Sequence, residues 1–347
     1  MKNYSILAGI LATCAVSMSW TRPAVLPSSQ EDPKDSTITL ITWADPGDTA
    51  VYWIDEGTMQ IKDGDTTNTP GTCEKVRLIV TKASKKGYSM ELEYLDFKAY
   101  QTPDNANFLE RIQNELTNKL AANVIGTVIK FRTDIFGRIT KYENLDEIKK
   151  RAETLYRKSC EEIVRMPFLD SLKAKGIDLQ LTPEMLMKGY DAKAAVKGYT
   201  EELETMFELQ GYTFDVAESD RHEDATDKKY ASDIHQRVSI LPEDEQYEIL
   251  LTTTTHIPMK DMKSIVKASV TAVAGDIATD EEFEEKFNNE VGQDNDIMST
   301  SMDYRQYWND GWPNIIIKQS IVSFSKLTKI TQKRILHLEY HPGKPQE

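Results

Sequence analysis

The sequence predicts an α+β protein in which curved antiparallel sheet packs against several α-helices. Three observations carry that prediction. Apolar and charged residues alternate with period two in 76–97 and 315–340, and apolar residues recur at helical spacing in 104–122 and 144–163. Clusters of Gly, Pro, Asn and Asp separate these segments. With 347 residues, 39% of them hydrophobic and 28% charged, the chain can bury a sizeable core.

The first twenty residues, MKNYSILAGILATCAVSMSW, hold a Lys at position 2, an apolar run from Ile6 to Ala12 and then small residues. That is the layout of a bacterial secretory signal, here residues 1–19, and the run is shorter than the ~20 apolar residues a spanning helix needs. Leu11-Ala12-Thr13-Cys14 resembles a lipobox, with Thr13 where Gly, Ala or Ser is usual, so Cys14 is a candidate for lipidation. Ala15-Val16-Ser17 and Ser17-Met18-Ser19 are alternative small-x-small cleavage sites. Residues 20–36 read as a flexible tether, and 37–345 as a globular region, one domain with sheet from both halves.

Along that region, 37–55 predicts two strands joined by Asp45-Pro46-Gly47. A turn-rich run over 62–72 leads to a hairpin over 76–97 that turns at Lys86-Gly87. Phe108, Ile112, Leu116 and Leu120 define a helix from about Asp104 to Ala122. In FRTDIFGRITKYENLDEIKK (131–150), Phe136-Gly137 makes a turn between strands, and Asn144 with Glu147 reads as a capping box. The helix then carries Ile148, Ala152, Leu155 and Ile163 on one face until Pro167. Thr182-Pro183 opens a further helix that runs to about Gln210, weakened or kinked by Gly189 and Gly198, and stopped by Gly211. Strands are expected over 212–216, 236–241 and 246–255, with SDRHEDATDKKYASD as a charged connection. The stretch 259–275 is ambiguous and leans to strand, and Thr279 with Glu282 caps a short helix through Phe287. Residues 315–340 read as strands.

Several chemistries find little footing. The formal net charge is −14, from 42 basic and 56 acidic residues, with no dense basic stripe, so nucleic acid is not an expected partner. No phosphate-cradling glycine loop and no G-x-S-x-G elbow occurs, so no cofactor is expected and no catalytic residue is assigned. His337, Glu339 and His341 alternate on a predicted strand, but at ~6.5 Å per step they are too spread to hold one metal ion. The acidic turns Asp63-Gly64-Asp65 and Asp294-Asn295-Asp296 lack the oxygen-ligand spacing of a calcium loop. Cys73 and Cys160 could pair in an oxidising compartment, although Cys160 also reads as a small buried hydrophobe.

Aromatic side chains are the candidate ligand contacts. Tyr304, Tyr307, Trp308 and Trp312 flank the Asn309-Asp310-Gly311 turn, and such rings can stack on sugars or form an apolar groove. Packing at the base of the sheet is the competing reading.

Two runs carry a family likeness: Gly137, Ile139, Tyr142, Asn144, Glu147 and Ile148, then Asp310-Gly311-Trp312-Pro313 before C-terminal strands. In these the chain resembles uncharacterised exported proteins and lipoproteins of Bacteroidota-type bacteria. The resemblance implies export to the periplasm or outer membrane, and it carries no catalytic residue over. The sequence thus points to a non-catalytic envelope protein that binds an apolar molecule, a glycan or an envelope protein. A hydrolase with a site assembled from distant residues, or a purely structural protein, are the alternatives. Membrane attachment is expected only through an N-terminal lipid anchor.

Overall fold

Two strand meanders meet edge to edge and make one sheet of eleven antiparallel strands. The computed structural model describes residues 37–99, 123–166, 182–225, 229–264, 296–323 and 327–341, with isolated positions 115, 118, 119, 267, 287 and 288. The expectations for 1–36 (signal, tether, Cys14), for most of 104–122, for Pro167, for 268–275 and for the cap at Thr279 lie outside these residues.

One half of the sheet is β2 (Thr49–Lys62), β3 (Asp65–Ser84), β4 (Gly87–Ala99), β5 (Val128–Thr133) and β6 (Ile139–Tyr142). The other half is β8 (Glu218–Glu223), β9 (Ser232–Leu241), β10 (Gln246–Pro258), β11 (Asp296–Trp308), β12 (Pro313–Ser323) and β13 (Leu327–His341). Each strand pairs with its neighbour in sequence, except at the seam where β13 lies against β2. The short β1 (Thr37–Thr39) pairs with β7 (Thr213–Asp215) in a separate ribbon. Helices α1 (Leu145–Ile163), α2 (Pro183–Met187) and α3 (Ala192–Phe207) accompany the strands, with a 3-10 turn at Pro242–Asp244 and a helical run at 259–264.

The α+β expectation is therefore corrected: the chain is β-rich, mostly antiparallel sheet with little helix. Polar strands account for much of the difference. The run 62–72, rich in turn formers, is a two-residue turn at Asp63 (φ 52°) and Gly64 (φ 90°), and the residues on both sides of it are strand. Two left-handed residues give the hairpin a twist that matches its strands, and the polar residues beyond take their strand geometry from paired neighbours. The expected charged connection 219–233 likewise holds most of β8, an edge strand of polar and charged residues without apolar alternation. The strand reading of 259–275 fails at its start, since 259–264 is helical. The long helix from Thr182 is two helices. Thr182 caps the first by accepting from Met185 N–H at 3.3 Å, and Asp191 caps the second by accepting from Lys193 N–H at 2.8 Å.

The core lies between the helices and one sheet face. Tyr52, Ile54, Val76, Leu78, Leu92, Phe131, Ile316 and Ile335 point into it from strands, and Ile148, Leu203, Met206 and Phe207 from helices. Cys73 and Cys160 are buried and form no disulfide with each other.

The 131–150 stretch departs from its expected capping box in an informative way. The Asn144 side chain makes no cap hydrogen bond. Its Oδ1 accepts from Lys130 N–H at 2.9 Å, and its Nδ2 donates to Val128 C=O at 2.8 Å. β6 covers β5 only from Phe131 to Thr133, so the amide of Asn144 continues the ladder over backbone that would otherwise be an open edge. Asp134 Oδ1 accepts from Phe136 and Arg138 N–H groups at 2.9 and 3.0 Å, closing the turn. Gly137 is required there: its φ is +96°, and a Cβ would come within 2.5 Å of Thr42 Oγ1. Asn144→Ala is expected to lower stability by about 1–2 kcal/mol through two lost hydrogen bonds to backbone. The measure is the urea midpoint, and an unchanged midpoint would remove this stitching role.

Candidate functional site

Strand alternation writes four rows of side chains across the helix-covered face, from β2 through β13, β12, β11 and β10 to β9. The first row is Ile54, Ile335, Ile316, Arg305, Ile249 and Val238. The second is Glu56, Lys333, Lys318, Asp303, Leu251 and Gln236, so charge replaces apolar bulk one step along. Thr58, Thr331, Ser320, Ser301 and Thr253 then form a row of hydroxyls. The fourth row holds Gln60, Lys329, Val322, Ser299, Thr255 and Ser232.

Over the second and third rows lies a cavity of about 380 Å³. Its roof is the flank of α3, where Lys197, Glu201, Glu204 and Glu208 recur at spacings of four, three and four and so share one helix side. Leu203, Met206 and Phe207 on the adjacent face enter the core and fix the helix. The floor is Ser301, Met302 and Asp303 of β11 with Lys318, Gln319 and Ser320 of β12. Arg138, Ile139, Gln210 and Tyr212 close one side. Arg138 is held there: its Nε donates to Gln210 C=O at 3.1 Å, its Nη2 donates to Gly211 C=O, and its guanidinium stands 5.4 Å from the Tyr212 ring centre.

Two ion clusters hold the floor to the helix. Arg305, with its side chain 2% exposed, is the centre of the first. It donates in bidentate fashion to Asp303, from Nε at 2.7 Å and Nη2 at 2.6 Å. It also reaches Glu208 Oε2 at 2.6 Å and Thr205 C=O at 3.0 Å. Lys318 adds a second cation 3.1 Å from Glu208. Burial raises the pKa of Asp303 and Glu208, but the charges of Arg305 and Lys318 outweigh it, and both carboxyls sit below their ordinary range.

In the second cluster Lys333 Nζ lies 2.7 Å from Glu56, 2.8 Å from Glu202 and 3.8 Å from Glu201. Glu74 stands beside this cluster. Burial, then the charge of Glu202, pushes its carboxyl up to about 8. Glu74 and Glu202 do not line the cavity, whereas Glu208 and Asp303 do. Asp303 and Glu208, two of the carboxylates that a ligand would meet, are thus ionised and already paired, a poor arrangement for general acid catalysis and a good one for fixed hydrogen-bond acceptors.

None of the four aromatic candidates lines the cavity. Tyr307 is fully buried, with its hydroxyl 3.4 Å from Arg305 Nη1. Trp312 is 2% exposed and donates through Nε1 to Trp43 C=O at 3.1 Å. Trp308 packs against the core edge to face with His337. Tyr304 is on the opposite sheet face, where it donates to Glu248 Oε2 at 3.0 Å. A bulge between His337 and Glu339 breaks the expected H-x-E-x-H alternation: His337 pairs with Tyr52 and Glu339 with Val51, on opposite faces.

A second concavity, on the other face at the β8–β10 edge, gathers residues that the sequence left scattered. Asp233 bridges His222 Nδ1 at 2.7 Å and His256 Nε2 at 3.2 Å, and His235 Nδ1 meets Asp220 at 2.9 Å. These imidazole–carboxylate pairs are half or more exposed for the most part, and no Ser or Cys lines the concavity. Among the described residues no group of His, Cys, Asp and Glu is placed to hold a metal ion.

No protein-family model matches the chain, and no curated protein is similar to it in sequence. Among solved structures, lipovitellin, described for its lipid–protein interactions, aligns with a TM-score of 0.34 at 8% identity, over 87% of this chain and 26% of its own. The chain thus spans about a quarter of that protein. The attachment invasion protein Ail of Yersinia pestis aligns with a TM-score of 0.18 at 7% identity, over 84% of this chain and 97% of its own. An outer-membrane channel from Pseudomonas putida F1 gives 0.12 at 6% identity. Likenesses this distant carry neither a fold nor an activity over. No helix among the described residues is long and apolar enough to cross a membrane.

Proposed function

We propose that this is an exported envelope protein that binds a small hydroxyl-rich ligand, a saccharide in chemical class, in the cavity between α3 and the sheet. The observation that carries the reading is the cavity floor. Ion-paired Asp303, Lys318 and Glu208 stand beside Ser301 and Ser320, while Phe207 and Tyr212 supply apolar and aromatic surface. Fixed carboxylates, amides and guanidinium groups match the donor and acceptor pattern of sugar hydroxyls, and apolar surface matches the C–H faces of the ring. A volume of about 380 Å³ falls in the range of small-ligand sites. The N-terminal sequence supports export to the periplasm or outer membrane.

The test is calorimetric titration of the purified protein with a panel of mono- and oligosaccharides. Ser320→Trp, which fills the cavity, is expected to weaken binding at least about ten-fold, and Glu204→Gln, at the exposed lip, about three-fold, equivalent to ~1.4 and ~0.7 kcal/mol. Binding unaffected by Ser320→Trp, or no saccharide bound at all, would refute the reading.

A further inference from the structure

Beyond the charged row the covered face turns to hydroxyls, and within them stands a cation, Lys329, that has no counterion among the described residues. Lys329 is 7% exposed. It shares its face with Lys333, and its row neighbours are Gln60 and Val322, with Ser299 one strand further. Among the described residues Lys329 has no ion-pair or hydrogen-bond partner, and burial alone draws its ammonium down to about 8. The nearest acidic row, Glu56 and Asp303, is four residues away along the strands, about 13 Å. Those carboxylates are already engaged by Lys333, Arg305 and Lys318.

Buried ammonium groups are ordinarily paired, because moving one out of water without a partner is strongly unfavourable. Ser and Thr hydroxyls accept hydrogen bonds but carry no charge. The hydroxyl groups around it are unusual too: Ser320 in the third row and Ser299 and Ser232 in the fourth are buried at positions where an antiparallel sheet ordinarily places Val, Ile or Leu. Thr253 Oγ1 is buried with no hydrogen-bond partner among the described residues. A surface of this kind is short of one oxyanion and rich in hydrogen-bonding groups to surround it.

We infer that Lys329 is the anion-recognising residue of the site, receiving an oxyanion, carboxylate or sulfate, carried by the ligand. Ser320 and Ser301 line the cavity, Thr331 faces Ser320 on β13, and Lys329 lies one step beyond Thr331, about 7 Å along the strand. A sugar ring in the cavity would direct its acidic substituent along the hydroxyl row to the ammonium. The inference rests on the saccharide reading for the rest of the ligand, and one arm of the test does not.

That arm compares sulfate and chloride, at matched ionic strength, as stabilisers of the wild type and of Lys329→Met, which keeps the stem and removes the charge. Sulfate is expected to raise the melting temperature of the wild type more than that of the variant. Equal increments in the two proteins would overturn the anion site. In the second arm, galacturonate and galactose 6-sulfate are titrated beside galactose. The wild type is expected to favour one acidic sugar at least about ten-fold over galactose, and Lys329→Met to abolish the preference while leaving galactose affinity in place. Which acid is favoured distinguishes carboxylate from sulfate, and a preference that persists in the variant overturns the assignment. Failure of every sugar to bind, with the sulfate difference intact, would refute the saccharide reading and leave the anion site standing. Sugars bound without acid preference, and without a sulfate difference, would do the reverse.

Discussion

Arg305→Ala destabilises the fold by about 3–5 kcal/mol, the range observed when one member of a buried ion pair is removed. The guanidinium satisfies both oxygens of Asp303, one oxygen of Glu208 and the carbonyl of Thr205 at the end of α3. Its loss leaves Asp303 and Glu208 with Lys318 as their remaining cation. Arg305→Lys is expected to fall between, because an ammonium keeps the charge and loses the planar fork that meets Asp303 twice. Urea unfolding of the three proteins checks the order. A loss below about 1 kcal/mol for Arg305→Ala would mean that the cluster does not clamp helix to sheet.

The second large effect is a pH dependence of unusual sign. Glu74 has its folded pKa raised from 4.5 to about 8, so between those values the unfolded chain releases a proton that the folded chain keeps. Below about pH 4.5 both states hold the proton and the group is neutral toward stability. As pH rises to 8 stability falls, and above 8 it levels off. At 1.36 kcal/mol per pKa unit the total loss is at most about 4–5 kcal/mol, shared with Glu202. Asp303 and Glu208 act in the opposite sense: their folded pKa values are depressed, so their contribution disappears as pH falls through the carboxylate range. Together these place the stability maximum on the acid side of neutrality, near pH ~5. Glu74→Gln should flatten the fall between pH 5 and 8 and raise stability at pH 8. A wild-type midpoint that stays level over that interval would contradict the buried, protonated state of Glu74.

Elements with alternating apolar residues were legible in the sequence, as in 76–97 and 315–340, because half-buried strands write their burial into composition. Turns at Gly87, Gly137, Gly211 and Gly311 were legible too, each with positive φ. Polar strands were not. Around the 63–64 turn and in β8, Thr, Asn, Asp and His adopt extended geometry because partners on both sides hold them there, and no local preference announces it. The candidate site had a signal that went unread. Asp303, Arg305 and Lys318 occupy the inward phase of their strands, alternating with outward Tyr304 and Ile317, and charge on a buried phase signals a paired cluster. The partner of that cluster, Glu208, is remote in sequence, so the pairing itself could be found only in three dimensions. The exposed-looking aromatics at 304–312 illustrate the converse: the rings were visible in sequence, while their roles in packing depend on neighbours such as Trp43 and Arg305.

The seam between β13 and β2 has a consequence for how the molecule is made. Trp53 faces Leu336, and Thr49 faces His341, so β2, which pairs with β3 on one edge as soon as both are made, finds the partner of its other edge only when β13 has been synthesised. Until then β2 presents an open edge with a full row of unpaired amides, the kind of surface that recruits strands from other chains. Contacts of such large sequence separation also slow folding, since loop closure precedes any gain from pairing. The nascent protein therefore depends on being kept apart from its copies until the final strand docks. A truncation that removes β13 would leave a chain that pairs with itself.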